Sequence, residues 1–360
     1  MQSPAPTESP SDATTDAVLR LTAHEAAARL GLPAGRLSVP ELARTLRDQG
    51  ASDVVITGDP HDWLDTLHAQ GWLTRPRSGP TDHALRFGAA LAQGWVAADA
   101  AVLARLPDRA SSLDLPVLSV DETPARWTAP LSHVPALGVY AIVDSAERVR
   151  ACAEAGAGLI QLRIKARRDD PALVPELRAA LDAARSAGRA ALVVNDHWRL
   201  ALSLNAPALH LGQEDWLALR HTERTTIATA QARGLQLGMS SHSLWELCRA
   251  RGAGADLIAC GPVWPTLTKD MPWHAQGLDN LAWWVRMAGR PVIAIGGILD
   301  PDQLEQCAAT GAATVCVVRG LGEDPRATLP RWQRAWDAGH ASPRRPVPAW
   351  PHPTLSPECA

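Results

Sequence analysis

The sequence predicts an α/β protein whose larger part, residues 138–340, is a (β/α)8 TIM barrel. Three observations predict it. Eight short β-rich runs alternate with helical segments along that stretch. The runs are nearly continuous apolar stretches, as parallel strands buried on both faces require. Polar or glycine-rich residues come after seven of the eight runs at the same end, where barrel chemistry sits. A doubly wound open sheet would need a glycine fingerprint after its first strand. VDSAERVRA stands there instead.

The expected strands are 138–143 (GVYAIV), 158–163 (GLIQLR), 190–194 (AALVV), 208–211 (ALHL), 235–239 (LQLGM), 256–260 (DLIAC), 291–295 (PVIAI) and 313–318 (ATVCVV). Helices between them carry start and stop signals. Asp170–Pro171 and Asp300–Pro301 each offer an N-cap and a first-turn proline. Ser243 and Glu246 have capping-box spacing. Gly156, Gly188, Gly254, Gly289 and Gly311 sit where helices should end.

Outside the barrel, residues 1–16 are rich in Pro, Ser, Thr and Asp and are expected to be disordered. Residues 17–106 form a smaller α/β unit. The stretch 107–137 mixes prolines and polar residues without helical period and reads as a linker. Residues 341–360 read as a loose proline-rich tail.

Composition limits the function. A chain of 360 residues has room for two domains, and a net charge of −3 gives no bulk attraction to nucleic acid or anionic membrane. No apolar run is long enough to span a bilayer. The N-terminus lacks the basic start and apolar centre of a signal peptide. The six cysteines are scattered without a CxxC, which fits small buried residues in a reducing cytoplasm.

Any anion site must therefore be built locally, and the expected rim has the parts. Gln161, Arg163 and Lys165 follow the second strand, and Asn195, Asp196 and His197 follow the third. Gln213, Glu214 and Asp215 follow the fourth; Ser240, Ser241 and His242 the fifth. After the sixth comes GPVWPTLTKD, whose Thr266, Thr268 and Lys269 offer two hydroxyls and a cation. Gly296–Gly297 and Arg319–Gly320 close the circuit. Taken singly, each has a plainer reading: a solvated turn for Arg163 and Lys165, helix caps for Asp196 and Asp215, supporting roles for His197 and His242. Together they suit phosphates. Asp196 and Asp215 are hard carboxylates suited to Mg2+, which keeps waters and shares itself with substrate phosphates. Arg163, Lys165 and Lys269 supply cations for a diphosphate. The glycine turn after strand seven and the backbone after strand eight form the usual barrel phosphate site. A diphosphate leaving group and a phosphorylated second substrate indicate a transferase.

QLRIK, VNDHWRLA, ALHLGQED, LGMSSHS, ACGPVWPTLTKDM, AIGGI and VCVVRG together, in order and spacing, resemble the thiamine phosphate synthase family over about 138–340. That family joins hydroxymethylpyrimidine diphosphate to a carboxylated thiazole phosphate, giving thiamine phosphate, diphosphate and CO2. The resemblance implies that Gln161, Leu162, Arg163, Ile164 and Lys165 bind the pyrimidine diphosphate, with Asn195, Ser240 and Lys269 completing its site. It implies Mg2+ on Asp196 and Asp215. It implies that Thr266, Leu267, Thr268, Gly297, Val318 and Arg319 hold the thiazole phosphate. Arg163, Lys165, Ser240 and Lys269 would carry the chemistry. The family often has Ser where Arg319 stands, so Arg319 either adds a charge or narrows the pocket. A thiazole tautomerase of a related barrel family and an inactive thiamine phosphate sensor are the competing readings. Arg163, Lys165, Asp196 and Asp215 oppose the first, and Arg319 leaves the second open.

Residues 17–106 more faintly resemble the C-terminal half of hydroxymethylpyrimidine phosphate kinase. They are expected to form a ribokinase-like remnant without kinase activity, because SGPTDH (78–83) does not keep that family's Gly-Thr-Gly anion loop. Half a domain leaves a sheet uncovered, so the remnant is expected to pack on the barrel or on a second copy, as in a homo-oligomer.

Overall fold

A computed structural model describes residues 17–77, 79–167, 170–188, 190–266 and 272–355. The expected disorder of residues 1–16, and Leu267, Thr268, Lys269 and Cys359, lie outside the described residues. The N-terminal unit comprises β1 (Ala17–Thr22), α1 (Ala23–Arg29), α2 (Val39–Asp48), β2 (Ala51–Thr57), β3 (His61–Asp65), β4 (Gln70–Thr74), α3 (His83–Ala92), α4 (Ala97–Ala104) and β5 (Val117–Leu118). The five strands form one sheet in sequence order, with β1 and β2 parallel and the rest antiparallel. Alternation along β2 sends Val54 and Ile56 to one face, where they pack with Leu42, Ala43 and Leu46 of α2. Val55 goes to the other face and joins α3 and α4.

Eight parallel strands among the described residues then close into a barrel, β6 pairing with β13. They are β6 (Gly138–Val143), β7 (Leu159–Leu162), β8 (Ala191–Asn195), β9 (Ala208–Leu211), β10 (Gln236–Ser241), β11 (Leu257–Cys260), β12 (Val292–Ala294) and β13 (Thr314–Val317). Helices α5 (Ala146–Glu154), α6 (Leu173–Ser186), α7 (Trp198–Ser203), α8 (Gln213–Ala218), α9 (His221–Gln231), α10 (Leu244–Gly252), α11 (Gly277–Ala288), α12 (Pro301–Ala309) and α13 (Pro325–Ala341) surround it. Period-two alternation divides the core. Tyr140 and Ile142 of β6 point inward with Leu159, Val193, Ala259 and Ile293. Val139, Ala141 and Val143 face the helices.

Asp300 caps α12 as expected, accepting the Gln303 N–H at 2.9 Å. Two other helix starts differ. Asp170 is not an N-cap: its Oδ1 accepts the Ala172 N–H at 2.9 Å in a turn, and α6 begins at Leu173. Ser243 caps α10, but the reciprocal half of the box is missing. Glu246 Oε2 instead accepts the His242 N–H at 2.7 Å and contacts His242 Nδ1 at 2.8 Å.

The two units share one continuous apolar core, in which α3 and α4 join the outer layer of the barrel. The stretch 107–137, read as a linker, supplies β5 to the N-terminal sheet and buries Ala110, Leu115, Val117 and Leu118. The tail is seated as well: Thr354 and Leu355 are buried. Among the described residues no helix is long and apolar enough to cross a membrane, and all five cysteines are free and buried.

Candidate active site

The strands end in a cavity of about 530 Å3 at the C-terminal mouth of the barrel. Its floor is apolar, from Ile142, Ala259, Ile293 and Ile295, and Tyr140 sits at the base. Gln161 is buried there and donates from Nε2 to the Tyr140 hydroxyl at 3.0 Å. Burial drives the Tyr140 phenol well above its ordinary pKa, so it stays neutral.

One wall gathers the residues that the sequence placed after β7 through β10. Arg163 and Lys165 stand exposed at the lip beside Asn195, Asp196, Asp215 and Ser240. Asp196 takes a positive φ of 62°, a conformation that a non-glycine residue holds only where the surroundings impose it. Burial raises the Asp196 pKa first; the charge of Asp215 and a side-chain hydrogen bond with it raise it further, against Arg163 and His197. The charge of Asp215 thus opposes ionisation of Asp196, an opposition that a cation between them would relieve. Asp215 Oδ2 lies 3.0 Å from where a Cβ on Gly212 would stand, so the glycine admits the carboxylate.

Gln213 fixes the next strand end. Its Nε2 donates to Ser240 O at 2.7 Å, while its Oε1 accepts from the buried Arg249 guanidinium at 3.1 Å. Ser240 Oγ lies 3.1 Å from His210 Nε2. Burial, then the charge of Arg163, pulls the His210 pKa down to about 4, so the imidazole is neutral at pH 7.

The opposite wall is made of Thr266, Gly296, Gly297, Val318 and Arg319. Here the loops after β11 and β12 are zipped together. Val263 N–H donates to Ile295 O at 2.9 Å and Trp264 N–H to Gly296 O at 3.1 Å. Gly296 and Gly297 have φ of 93° and 73°, and a Cβ on either would stand 2.6 Å from Pro262 Cα or Trp264 O. Only glycine meets both demands. Val318 and Arg319 are exposed at the start of a short 3-10 turn, Arg319–Leu321.

Of the residues singled out from the sequence, Gln161, Arg163, Lys165, Asn195, Asp196, Asp215, Ser240, Thr266, Gly297, Val318 and Arg319 line this one cavity. Leu162 and Ile164 do not: Leu162 is buried in the core and Ile164 packs against it. Leu267, Thr268 and Lys269 lie outside the described residues. Tyr140, His210, Glu246 and Trp273 also line the cavity, beyond the set expected from the sequence. Tyr140 and His210 point inward at period two from apolar runs, a signal available once the barrel is assumed. Glu246 reads from the sequence only as half of a helix cap, and nothing local marks Trp273.

Among the described residues no group of three His, Cys, Asp or Glu could hold a metal by itself. Two carboxylates that repel each other fit a hard ion that takes its remaining ligands from water and substrate, as Mg2+ does.

A closed parallel barrel with a polar cavity at the C-terminal ends of its strands defines a (β/α)8-barrel enzyme. The family model described as thiamine monophosphate synthase matches residues 139–321, and the chain belongs to that family. The thiamine-phosphate synthase of Rhizobium etli is 42% identical over 200 residues, covering 54% of this chain and 93% of the relative. That of Neisseria meningitidis serogroup B is 41% identical over 204 residues, covering 56% and 95%. A solved thiamine phosphate pyrophosphorylase from Pyrococcus furiosus is 29% identical with a TM-score of 0.48, covering 56% of this chain and 96% of that one.

Proposed function

We propose that the chain condenses hydroxymethylpyrimidine diphosphate with a carboxylated thiazole phosphate, releasing thiamine phosphate, diphosphate and CO2. One observation carries this reading: cationic and carboxylate groups occupy one wall of the cavity and a glycine turn with Arg319 the other, with an apolar floor between. Two polar ends and an apolar middle match two substrates laid end to end.

In this reading Arg163 and Lys165 hold the diphosphate, joined by Lys269 on the strength of the family resemblance. Asp196 and Asp215 would hold Mg2+, which when bound supplies charge against the diphosphate oxygens. The C–O bond breaks and its electron pair leaves with the diphosphate, so negative charge develops where the cations stand. The electron-rich aminopyrimidine carries the methylene cation. Gly297, the backbone at Val318, and Arg319 fix the thiazole phosphate, so that the ring nitrogen attacks from close range. Its lone pair forms the new C–N bond. Loss of CO2 leaves an electron pair on the ring carbon, which takes up a proton. The neutral His210 and the hydroxyl of Ser240 orient the pyrimidine without needing to change charge.

The test mixes purified protein, both substrates and Mg2+ and measures thiamine phosphate. Product that depends on both substrates, and is lost in the Asp196→Ala, Asp215→Ala double variant, is the expected result. Turnover that survives the double variant contradicts the role of the carboxylates. Binding without turnover supports a sensor instead.

A further inference from the structure

The proline-rich C-terminal segment is anchored at several points between Arg345 and Thr354, and its last described residues reach the wall of the cavity. Arg345 pairs with Asp279 at 2.8 Å, and Arg286 Nη2 donates to Ala349 O at 3.1 Å. Asn280, fully buried at the start of α11, grips the backbone of His352 twice. Its Oδ1 accepts the His352 N–H at 2.8 Å, and its Nδ2 donates to His352 O at 3.0 Å. His352 Nε2 lies 2.9 Å from Gln276 O. Thr354 Oγ1 donates to His242 O at 2.7 Å, and Thr354 O accepts the His274 N–H at 2.7 Å.

These bonds converge on one part of the cavity. His242 O also accepts from Gln276 Nε2 at 2.7 Å, and Gln276 N–H donates to Pro262 O at 2.7 Å. The His242 ring stacks on Trp273, with centroids 5.4 Å apart and planes 12° from parallel. Trp273 in turn leans on Trp245 at 5.5 Å. His242 and Trp273 both line the cavity. The zipped backbone at Val263 and Trp264 holds the near end of the chain between β11 and α11. Thr354 and His352 hold its far end, residues 272–276.

We propose that Thr354 and His352 are positioning residues for the active site, fixing the His242–Trp273 wall and the far anchor of the chain entering α11. The family match ends at residue 321, so the segment is outside the part of the chain that the family model covers. The proposal rests on the reading of this cavity as the place of reaction. Thr354→Val removes the hydroxyl at nearly constant shape, so His242 O loses one of two donors and a buried bond goes unmade.

The full-length Thr354→Val and the Thr354→Val, His352→Ala double variant are compared with the parent in two measurements. Steady-state kinetics should show KM for at least one substrate up by about tenfold with kcat within about twofold, because a small misplacement of the wall weakens binding before chemistry. Amide exchange over residues 272–280 should speed up by about tenfold, His274 most of all. Thr354→Ser should restore both. KM and exchange within about twofold of the parent in both variants overturns the proposal. If the double variant does not fold, the single variant decides. If the parent turns over no substrate, the functional reading fails, and the exchange rates alone decide this proposal.

Discussion

Asp99 of α4 accepts the Leu244 N–H at 2.8 Å and, from the same oxygen, the Trp245 N–H at 3.2 Å. The N-terminal unit thus caps a barrel helix. Helix α10 begins just after His242 and its cap Ser243, so Asp99 supports the same wall that the C-terminal segment braces from the other side. The first turn of a helix leaves N–H groups unpaired, and Asp99 satisfies two of them across the domain boundary. This joins the small domain to the active-site side of the barrel.

Stability should depend on pH through this carboxyl. Burial raises the Asp99 pKa from 3.8 to about 8, outweighing the two amides that lower it. The folded state therefore binds this proton more tightly than the unfolded state does. Stability contributed by Asp99 falls as pH rises from about 4 to about 8, by up to about 1.4 kcal/mol per pH unit, and levels off above. Asp99→Asn keeps an acceptor without a titrating group, so it should flatten that fall in chemical denaturation series. Asp99→Ala, which does not titrate either, should cost about 1–3 kcal/mol at acid pH, because buried N–H groups lose their partner, and progressively less as pH rises toward 8. Parallel pH profiles for the parent and Asp99→Asn would contradict this.

His210 should not titrate in the ordinary range. With a pKa near 4, its imidazole resonances should stay constant from about pH 5.5 to 8 in the apoprotein. A midpoint near the ordinary histidine value of 6.5 would show that solvent reaches the ring, and that the neutral pairing with Ser240 is wrong.

Gly297→Ala should be costly in two ways. A left-handed φ of 73° strains any other residue, and the new methyl would meet Trp264 O. The expected loss of stability is about 1–3 kcal/mol in thermal or denaturant unfolding. KM for the thiazole phosphate should rise more than KM for the pyrimidine diphosphate, since Gly297 lies on the wall opposite Arg163. Equal effects on both would argue against separate phosphate ends.

The barrel is legible in the sequence because buried parallel strands write themselves as apolar runs. Each of the eight runs lies within about two residues of its strand, and the five glycines at helix ends all have positive φ. The lining of the candidate cavity is legible for the same reason: in a barrel, the residues just past each strand face one mouth. What composition does not carry is anchoring. Prolines forbid ladder hydrogen bonds but do not stop a side-chain amide such as Asn280 from gripping a backbone, so His352 and Thr354 read as a loose tail. Val117 and Leu118 pair as a two-residue strand, too short for any periodicity. Asp170–Pro171 offers the same dipeptide as Asp300–Pro301, yet only Asp300 has Gln303 three residues on to complete its box. Glu246 has capping-box spacing and is drawn off by the His242 ring.

Asp196, Asp215, Arg163 and Lys165 line one cavity, and in the proposed reaction they would form one seat for a divalent cation and a diphosphate. The most direct measurement is a crystal structure with Mn2+ and inorganic diphosphate, the metal located by anomalous scattering. The expected result is one metal bonded to oxygens of both carboxylates, with the diphosphate bridging from it toward Arg163 and Lys165. A metal bound elsewhere, or a diphosphate lodged only against Gly297 and Arg319, would contradict it.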